Sequence, residues 1–137
     1  MKVYLAGNVH TNWRAQIVEA CPNIEFLQPY KDADGNFVKT VEGETLVPIT
    51  HCVSRDLMFV RRCDVVFIYL EKYGEHSRHH GTMIELGYAK ALSKLTVIVT
   101  EMGEFDMAFC LADVIFCLDG MRRGIEFLKY LTLKNPI

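Results

Sequence analysis

The chain has 137 residues, of which 50% are hydrophobic and 23% charged, with a formal net charge of −2. That size suits one domain spanning residues 1–137 that buries roughly 70% of the surface its unfolded form exposes, and the composition excludes a disordered tail, a collagen-like repeat and a coiled coil. Lys and Arg form no block longer than Arg61-Arg62 or Arg122-Arg123, which argues against a nucleic-acid-binding surface or a polybasic membrane anchor.

Short β-rich apolar runs alternate with longer segments of helical period. The first strand is Val3-Tyr4-Leu5-Ala6. A helix follows, with Trp13, Ile17, Val18 and Cys21 on one face and Thr11 or Asn12 available as N-cap. Ile24-Glu25-Phe26-Leu27 is the second strand. Residues 29–47 carry Pro29, Asp32, Asp34, Gly35 and Gly43 around the alternating run Phe37–Val41, which predicts a loop or small hairpin.

From about Pro48 to Arg62 a second helix is predicted, its buried stripe being Val53, Leu57 and Val60. It leads into Val65–Leu70, the longest and most apolar strand. A third helix is expected from near Thr82 to Ser93, with Ile84, Gly87, Tyr88 and Ala91 on one face. Leu95–Val99 is the fourth strand, residues 104–111 suggest a short helix, Val114–Leu118 is the fifth strand, and a last helix after Gly120 carries Ile125, Phe127, Leu128 and Leu131. Alternation of this kind is the pattern of a parallel sheet, and the sum predicts an α/β, flavodoxin-like three-layer sandwich with a five-stranded parallel sheet. Open sheets of this type bind ligands beyond the carboxyl ends of their strands, so the loops after Ala6, Leu70 and Val99 are the ones to inspect.

Cys21, Cys52, Cys63, Cys110 and Cys117 are an odd number without CxxC spacing, and Cys63, Cys110 and Cys117 lie in or beside apolar runs. They read as reduced core residues of a cytoplasmic protein. The segment Met1–Gly7 enters an apolar strand without the features of a signal peptide, and no apolar run approaches bilayer-spanning length.

Among residues able to carry chemistry, Glu85 is expected in the first turn of the third helix. It reads either as a carboxylate kept ionised by the helix N-terminus and aimed into the crevice as a nucleophile, or as the N3 residue of a capping box, Thr82-Met83-Ile84-Glu85. Asp56 falls beside the buried stripe of the second helix, where a carboxylate needs a task or a partner such as Arg55 or Arg62. Asp64 reads as a turn residue bonding local amides. His76, Arg78, His79 and His80 form a cationic cluster suited to phosphate or base. It lacks further ligands at metal spacing, and Asp32-Ala33-Asp34-Gly35 lacks the Glu that would complete a calcium loop, so no metal is expected. Gly7 follows the first strand, but Gly7–Asn12 contains neither a dinucleotide nor a P-loop fingerprint, and Glu71 stands where a receiver domain would need its phosphoacceptor Asp.

Three segments together resemble the nucleoside 2-deoxyribosyltransferase family and the related deoxynucleoside-monophosphate N-hydrolases. They are Val3–Gly7, then Arg55-Asp56-Leu57 through Cys63-Asp64-Val65-Val66, and then Gly81-Thr82-Met83-Ile84-Glu85-Leu86-Gly87-Tyr88-Ala89 with Ala91–Lys94. The resemblance implies that Glu85 attacks the anomeric carbon, that Tyr4 orients it, and that Asp56 serves the nucleobase as acid, base or hydrogen-bond partner. Gly7 and Gly81, in the matched segments, join Arg78, His79 and Asp113 as expected substrate-binding positions, Asp113 in the sugar site and often in that of a neighbouring subunit. Its alternative is a plain turn before a strand.

Two departures stand out. His79 occupies the position, six residues before the nucleophile, where many transferases carry Asp, and the Gly-Ser-Arg phosphate loop of the N-hydrolases is replaced by Gly7–Arg14. Arg14, Arg78, His79 and His80 remain candidates for a 5′-phosphate. The activity expected is cleavage of an N-glycosidic bond followed by transfer to a second base, or to water. A non-catalytic nucleotide-binding domain and an NAD glycohydrolase are the competing readings. The expected partners are a nucleoside or nucleotide and a free nucleobase, with no cofactor, and the resemblance implies a homo-oligomer.

Overall fold

The computed structural model describes residues 1–7, 11–28, 49–71, 80–101 and 107–133. The expected hairpin within residues 29–47, the Asp32–Gly35 turn and His76, Arg78 and His79 lie outside the described residues.

Five strands, β1 (Lys2–Ala6), β2 (Glu25–Leu27), β3 (Val65–Leu70), β4 (Leu95–Thr100) and β5 (Val114–Phe116), form one sheet in the order β2-β1-β3-β4-β5, and every neighbouring pair is parallel. Helices α1 (Trp13–Ala20), α2 (Ile49–Arg62), α3 (His80–Ala91) and α4 (Gly120–Leu131), with a 3-10 turn at Met107–Leu111, cover its two sides. This is the flavodoxin-like order, in which right-handed crossovers place helices on both faces. The central strand β3 is apolar along its whole length because both of its faces are covered, whereas the edge strands β2 and β5 shrink to three residues each.

Alternation along the strands sorts the core into two layers. Tyr4, Ala6, Val66, Ile68 and Ile98 point toward α2 and α3, where Phe59, Val60, Leu86 and Ala89 meet them. Val3, Leu5, Val65, Phe67, Val97 and Val99 point toward α1 and α4, against Trp13, Ile17 and Leu128.

The helices depart from their predicted faces in ways that matter. Asn12 stands at the N-cap of α1 but makes no side-chain cap bond. In α2 the inward stripe is Arg55, Phe59 and Val60, while Val53 is 52% exposed. Helix α3 begins at His80, two residues before the expected start, so Thr82 lies inside the helix and no capping box can form. Its core-facing residues are Leu86 and Ala89, with Met83 packed alongside, and Ile84 is 64% exposed. Of the segment predicted as a short helix at 104–111, residues 107–111 form the 3-10 turn and the rest lies outside the described residues, and β5 stops at Phe116, leaving Cys117 and Leu118 exposed. Cys110 is exposed as well, whereas Cys21 and Cys63 are core residues; the Cys63 thiol is held on the carbonyl of Val60. The reason is common to all these shifts: apolar periodicity fixes a stripe only to within one residue, and the neighbouring element decides which side is covered.

Two acidic residues tie elements together at the amino ends of strands. Asp64 accepts the backbone N–H of Lys2 at 2.8 Å, a contact between β3 and β1 and not the local turn bond expected of it. Asp113 accepts the amide and hydroxyl of Thr96 at 2.9 and 3.0 Å and the ammonium of Lys90 at 2.7 Å, while its own amide donates to the Thr96 hydroxyl. This reciprocal pairing joins β5, β4 and α3. Although burial acts against the charge, the Lys90 and Thr96 bonds hold the Asp113 carboxyl below its usual range. Asp113→Ala is therefore expected to cost about 1–2 kcal/mol in urea unfolding at pH 7. A lowered carboxyl contributes stability above its unfolded value and loses it as pH falls through the folded one, so the deficit should shrink below about pH 4.

Among the described residues, no helix is long and apolar enough to cross a membrane.

Candidate active site

Helices α2 and α3 lie side by side over the same face of the sheet, and at their junction they bring three predicted residues together. Tyr4, the third residue of β1, is 2% exposed, and its hydroxyl donates to Glu85 Oε1 at 3.1 Å. Glu85 sits in the second turn of α3, on the flank of the stripe formed by Leu86 and Ala89, so it points between α3 and α2 and not outward. Asp56 projects from α2 into the same region, close enough for its charge to act on both Glu85 and Tyr4.

Arg55 supplies the counter-charge. It is 6% exposed, and both Nε and Nη2 donate to the same oxygen of Asp56, at 2.9 and 2.8 Å. Its guanidinium also lies 5.9 Å from the centroid of Phe59, and the Phe59 ring in turn is 5.6 Å from that of Tyr4. One turn of α2 thus supports both the residue that bonds Glu85 and the residue that holds Asp56. The sequence named Arg55 as one of two possible partners of Asp56 but placed the pair at the surface; its burial was not legible, although the i, i+4 spacing from Phe59 was an available signal.

Electrostatics separate the two carboxylates. Burial, followed by the charge of Asp56, pushes Glu85 up to about 8, against the lowering effects of the Tyr4 hydroxyl, Arg14 and Arg55. Burial raises Asp56 too, but the bonds and charge of Arg55, and then Arg14, counter it. Burial and the two neighbouring acids raise the Tyr4 phenol well above its ordinary value, so the phenol stays a donor.

Arg14 departs furthest from expectation. It is 1% exposed and binds the carbonyls of Leu5 at 3.2 Å and Gly7 at 2.9 Å, with its guanidinium 4.4 Å over the Trp13 ring. It is thus committed to the end of β1 and does not present its charge to a phosphate. Gly7 has a backbone reason of its own: at φ +149°, a Cβ would lie 2.8 Å from the Tyr69 carbonyl oxygen and 2.9 Å from Trp13 Cζ2. Gly81, in the first turn of α3, differs, since a Cβ there would meet nothing within 4 Å. His80 is exposed at the start of α3.

Asp113 is not brought to Glu85 within the chain. Tyr4, Val66 and Thr96 share one row of the sheet, and Asp113 extends it, three inter-strand spacings or about 14 Å from Tyr4. The loops singled out after Ala6, Leu70 and Val99 run largely through residues 8–10, 72–79 and 102–106, outside the described residues, while Glu85, Tyr4 and Asp56 meet over the face beneath α2 and α3. Among the described residues, no three His, Cys, Asp or Glu side chains converge to hold a metal.

The arrangement resembles known proteins in fold. The structure aligns with the 2-deoxyribosyltransferase of the psychrotolerant bacterium Bacillus psychrosaccharolyticus at a TM-score of 0.66 and 19% identity, over 91% of this chain and 90% of the other. It aligns with the 2-desoxiribosyltransferase of Leishmania mexicana at a TM-score of 0.67 and 16% identity, over 96% and 99% of the two chains. A CMP N-glycosidase of Clostridium botulinum matches at a TM-score of 0.63 and 16% identity, over 97% of this chain and all of that one (100%). No curated protein matches the sequence closely enough to count as a relative. The sequence profile described as nucleoside 2-deoxyribosyltransferase matches residues 3–121, which include every element from β1 to the start of α4. The chain belongs to the nucleoside 2-deoxyribosyltransferase family.

Proposed function

We propose that the protein cleaves the N-glycosidic bond of a (deoxy)nucleoside or its 5′-monophosphate through a covalent glycosyl-Glu85 intermediate and transfers the deoxyribosyl group to another nucleobase. The observation that carries this reading is the Tyr4–Glu85 bond at 3.1 Å beside Asp56. Tyr4 fixes which oxygen of Glu85 is engaged and leaves the other to meet the anomeric carbon. Departure of the base builds an oxocarbenium-like centre, which an adjacent carboxylate stabilises and then captures.

The proton balance supports the same roles. In the empty site Glu85 retains its proton up to about pH 8. When its oxygen bonds to the anomeric carbon that proton leaves, the electron pair of the breaking C–N bond passes to the base, and the base takes up one proton. Asp56, which keeps an oxygen not used by Arg55, is the group suited to carry it. A second base reverses the sequence and gives transfer. Residue Asp113 would meet a sugar only from a second copy of the chain, so the reading includes a homo-oligomer. Gly7, Gly81, Arg78 and His79 are assigned to substrate binding, and the location to the cytoplasm. No cofactor has a part in these steps.

Hydrolysis is the second reading, favoured by His79 at the position where many transferases carry Asp. Chromatography of pure protein with deoxynucleosides and their 5′-monophosphates, with and without an excess of a second base, separates the two. The expected result is a new nucleoside that appears only with the acceptor. Free base without exchange product would establish a hydrolase. No product from any substrate, with thermal stabilisation by one of them, would replace both readings with a binding domain.

A further inference from the structure

We propose that Arg55 is a positioning residue that divides the charge of the site: held on the Phe59 ring and bonded twice to one oxygen of Asp56, it fixes Asp56 as the ionised carboxylate and leaves the single proton to Glu85. The inference rests on the roles proposed above for Glu85 and Asp56, and it goes beyond them by naming what keeps two neighbouring acids from exchanging parts.

Three features of the geometry carry it. First, Arg55 is almost fully buried while Asp56 is partly exposed, their side chains being 5% and 23% accessible. The cation is therefore the fixed member and the acid the one that faces outward. Second, Nε and Nη2 converge on one oxygen, at 2.9 and 2.8 Å, instead of forming the usual fork with one bond to each oxygen. Asp56 is thus anchored through one oxygen, and Arg55 leaves the other available. Third, the Phe59 ring neighbours both the ring of Tyr4, at 5.6 Å, and the guanidinium, at 5.9 Å, so the donor to Glu85 and the donor to Asp56 share one supporting side chain. A Lys at position 55 would keep the charge but could not donate twice to Asp56 from a fixed plane.

Among the described residues, the groups that act on the pair come from four elements. Tyr4 comes from β1, Arg14 from α1, Arg55 and Asp56 from α2, and Glu85 itself from α3. Arg14 acts on both acids by its charge, and its guanidinium also bonds the carbonyls of Leu5 and Gly7. Arg55 bonds Asp56 directly and reaches Glu85 only through its charge, and the asymmetry of the site follows from that difference. Two acids so close in a partly buried site do not both ionise freely. Once Arg55 has fixed the charge on Asp56, the proton falls to Glu85, from which the departing base can receive it by way of Asp56.

The test follows the two carboxyl carbons by NMR in substrate-free protein labelled with 13C at Asp and Glu, across pH 3 to 10, in the native protein and in Arg55→Met, Arg55→Lys and Asp56→Asn. Arg55→Met keeps the apolar length along Phe59. It should raise the titration of Asp56 by about 1–3 pH units, with Arg55→Lys in between. Asp56→Asn should lower Glu85, whose proton the Asp56 charge helps to hold. An Asp56 titration that does not move in Arg55→Met overturns the proposal. Should that variant fail to fold, a Glu85 titration unchanged in Asp56→Asn overturns it equally, because the coupling is then absent. Kinetics supply the second readout: the limbs of the kcat/KM–pH profile should move in Arg55→Met and return toward native in Arg55→Lys, whereas a uniform loss at every pH would mark Arg55 as merely structural and overturn the assignment. The carboxyl titrations need no substrate, so an enzyme found inactive on every nucleoside would refute the proposed reaction while leaving the Arg55 result to be read on its own.

Discussion

Glu85→Gln is expected to abolish turnover, by roughly 10³- to 10⁵-fold in kcat, while the fold stays intact. The amide still accepts the Tyr4 hydroxyl but cannot bond to the anomeric carbon, so the loss falls on chemistry and substrate should still bind. Single-turnover chromatography with the best substrate checks this, and activity within tenfold of native would remove Glu85 as nucleophile. The same variant carries a pH signature. In the unfolded chain Glu85 loses its proton near the ordinary 4.5, but in the folded protein near 8. Between those values the folded state binds the extra proton, and stability falls as pH rises. Gln has no such proton to lose. The variant should thus gain on the native protein as pH rises from about 5 to 8, with the difference in melting temperature smallest at the acid end. A parallel pair of curves would mean that Glu85 is less enclosed than its contacts with Tyr4 and Asp56 imply.

The largest expected effect on stability lies on the other face of the sheet. Gly124 is fully covered where α4 crosses β4 and β3, and a Cβ added there would stand 2.5 Å from Val99 Cγ2 and 2.8 Å from Phe67 Cζ. Neither neighbour has room to retreat, since Phe67 and Val99 are both 0% exposed. Gly124→Ala gains helix propensity, worth about 1 kcal/mol, yet must push the helix off the sheet, and overpacking of this kind costs about 1–3 kcal/mol. The clash outweighs the gain in propensity because it involves two core side chains at once. The variant should therefore melt below native, by up to about 10 °C, in a thermal scan. Its activity at 25 °C should be retained, because Glu85, Tyr4 and Asp56 sit under the opposite layer. A variant that melts at or above native would show that α4 does not lie so close.

The contrast between these two positions shows how far the sequence reaches. The strands were legible because β3 and β4 are buried on both faces, and continuous apolar runs bounded by polar residues have few other solutions. Their alternation with helical segments determined the parallel sheet and its order. Glu85, Tyr4 and Asp56 were also legible, through segments whose residues resemble a family and whose order along the chain matches it. Helix faces were not: Val53 and Ile84 follow an apolar period as well as Phe59 and Leu86 do, and only the packing of α2 beside α3 decides which of them is covered. The start of α3 at His80 removed the capping box, and with it one of the two readings of Glu85, a change of two residues that no local pattern specifies.

What the sequence by itself determined is the fold, and it nominated Glu85, Tyr4 and Asp56 as candidates, because both readings come from hydrophobic alternation and short contiguous segments. What only the tertiary structure decided is how those acids are charged and supported. Arg55 and Arg14 stand 41 positions apart in the chain, yet both are buried and both act by their charge on the same pair of carboxylates. Proton affinities depend on burial and on charges a few ångströms away in space, and neither quantity exists until the helices have closed over the sheet.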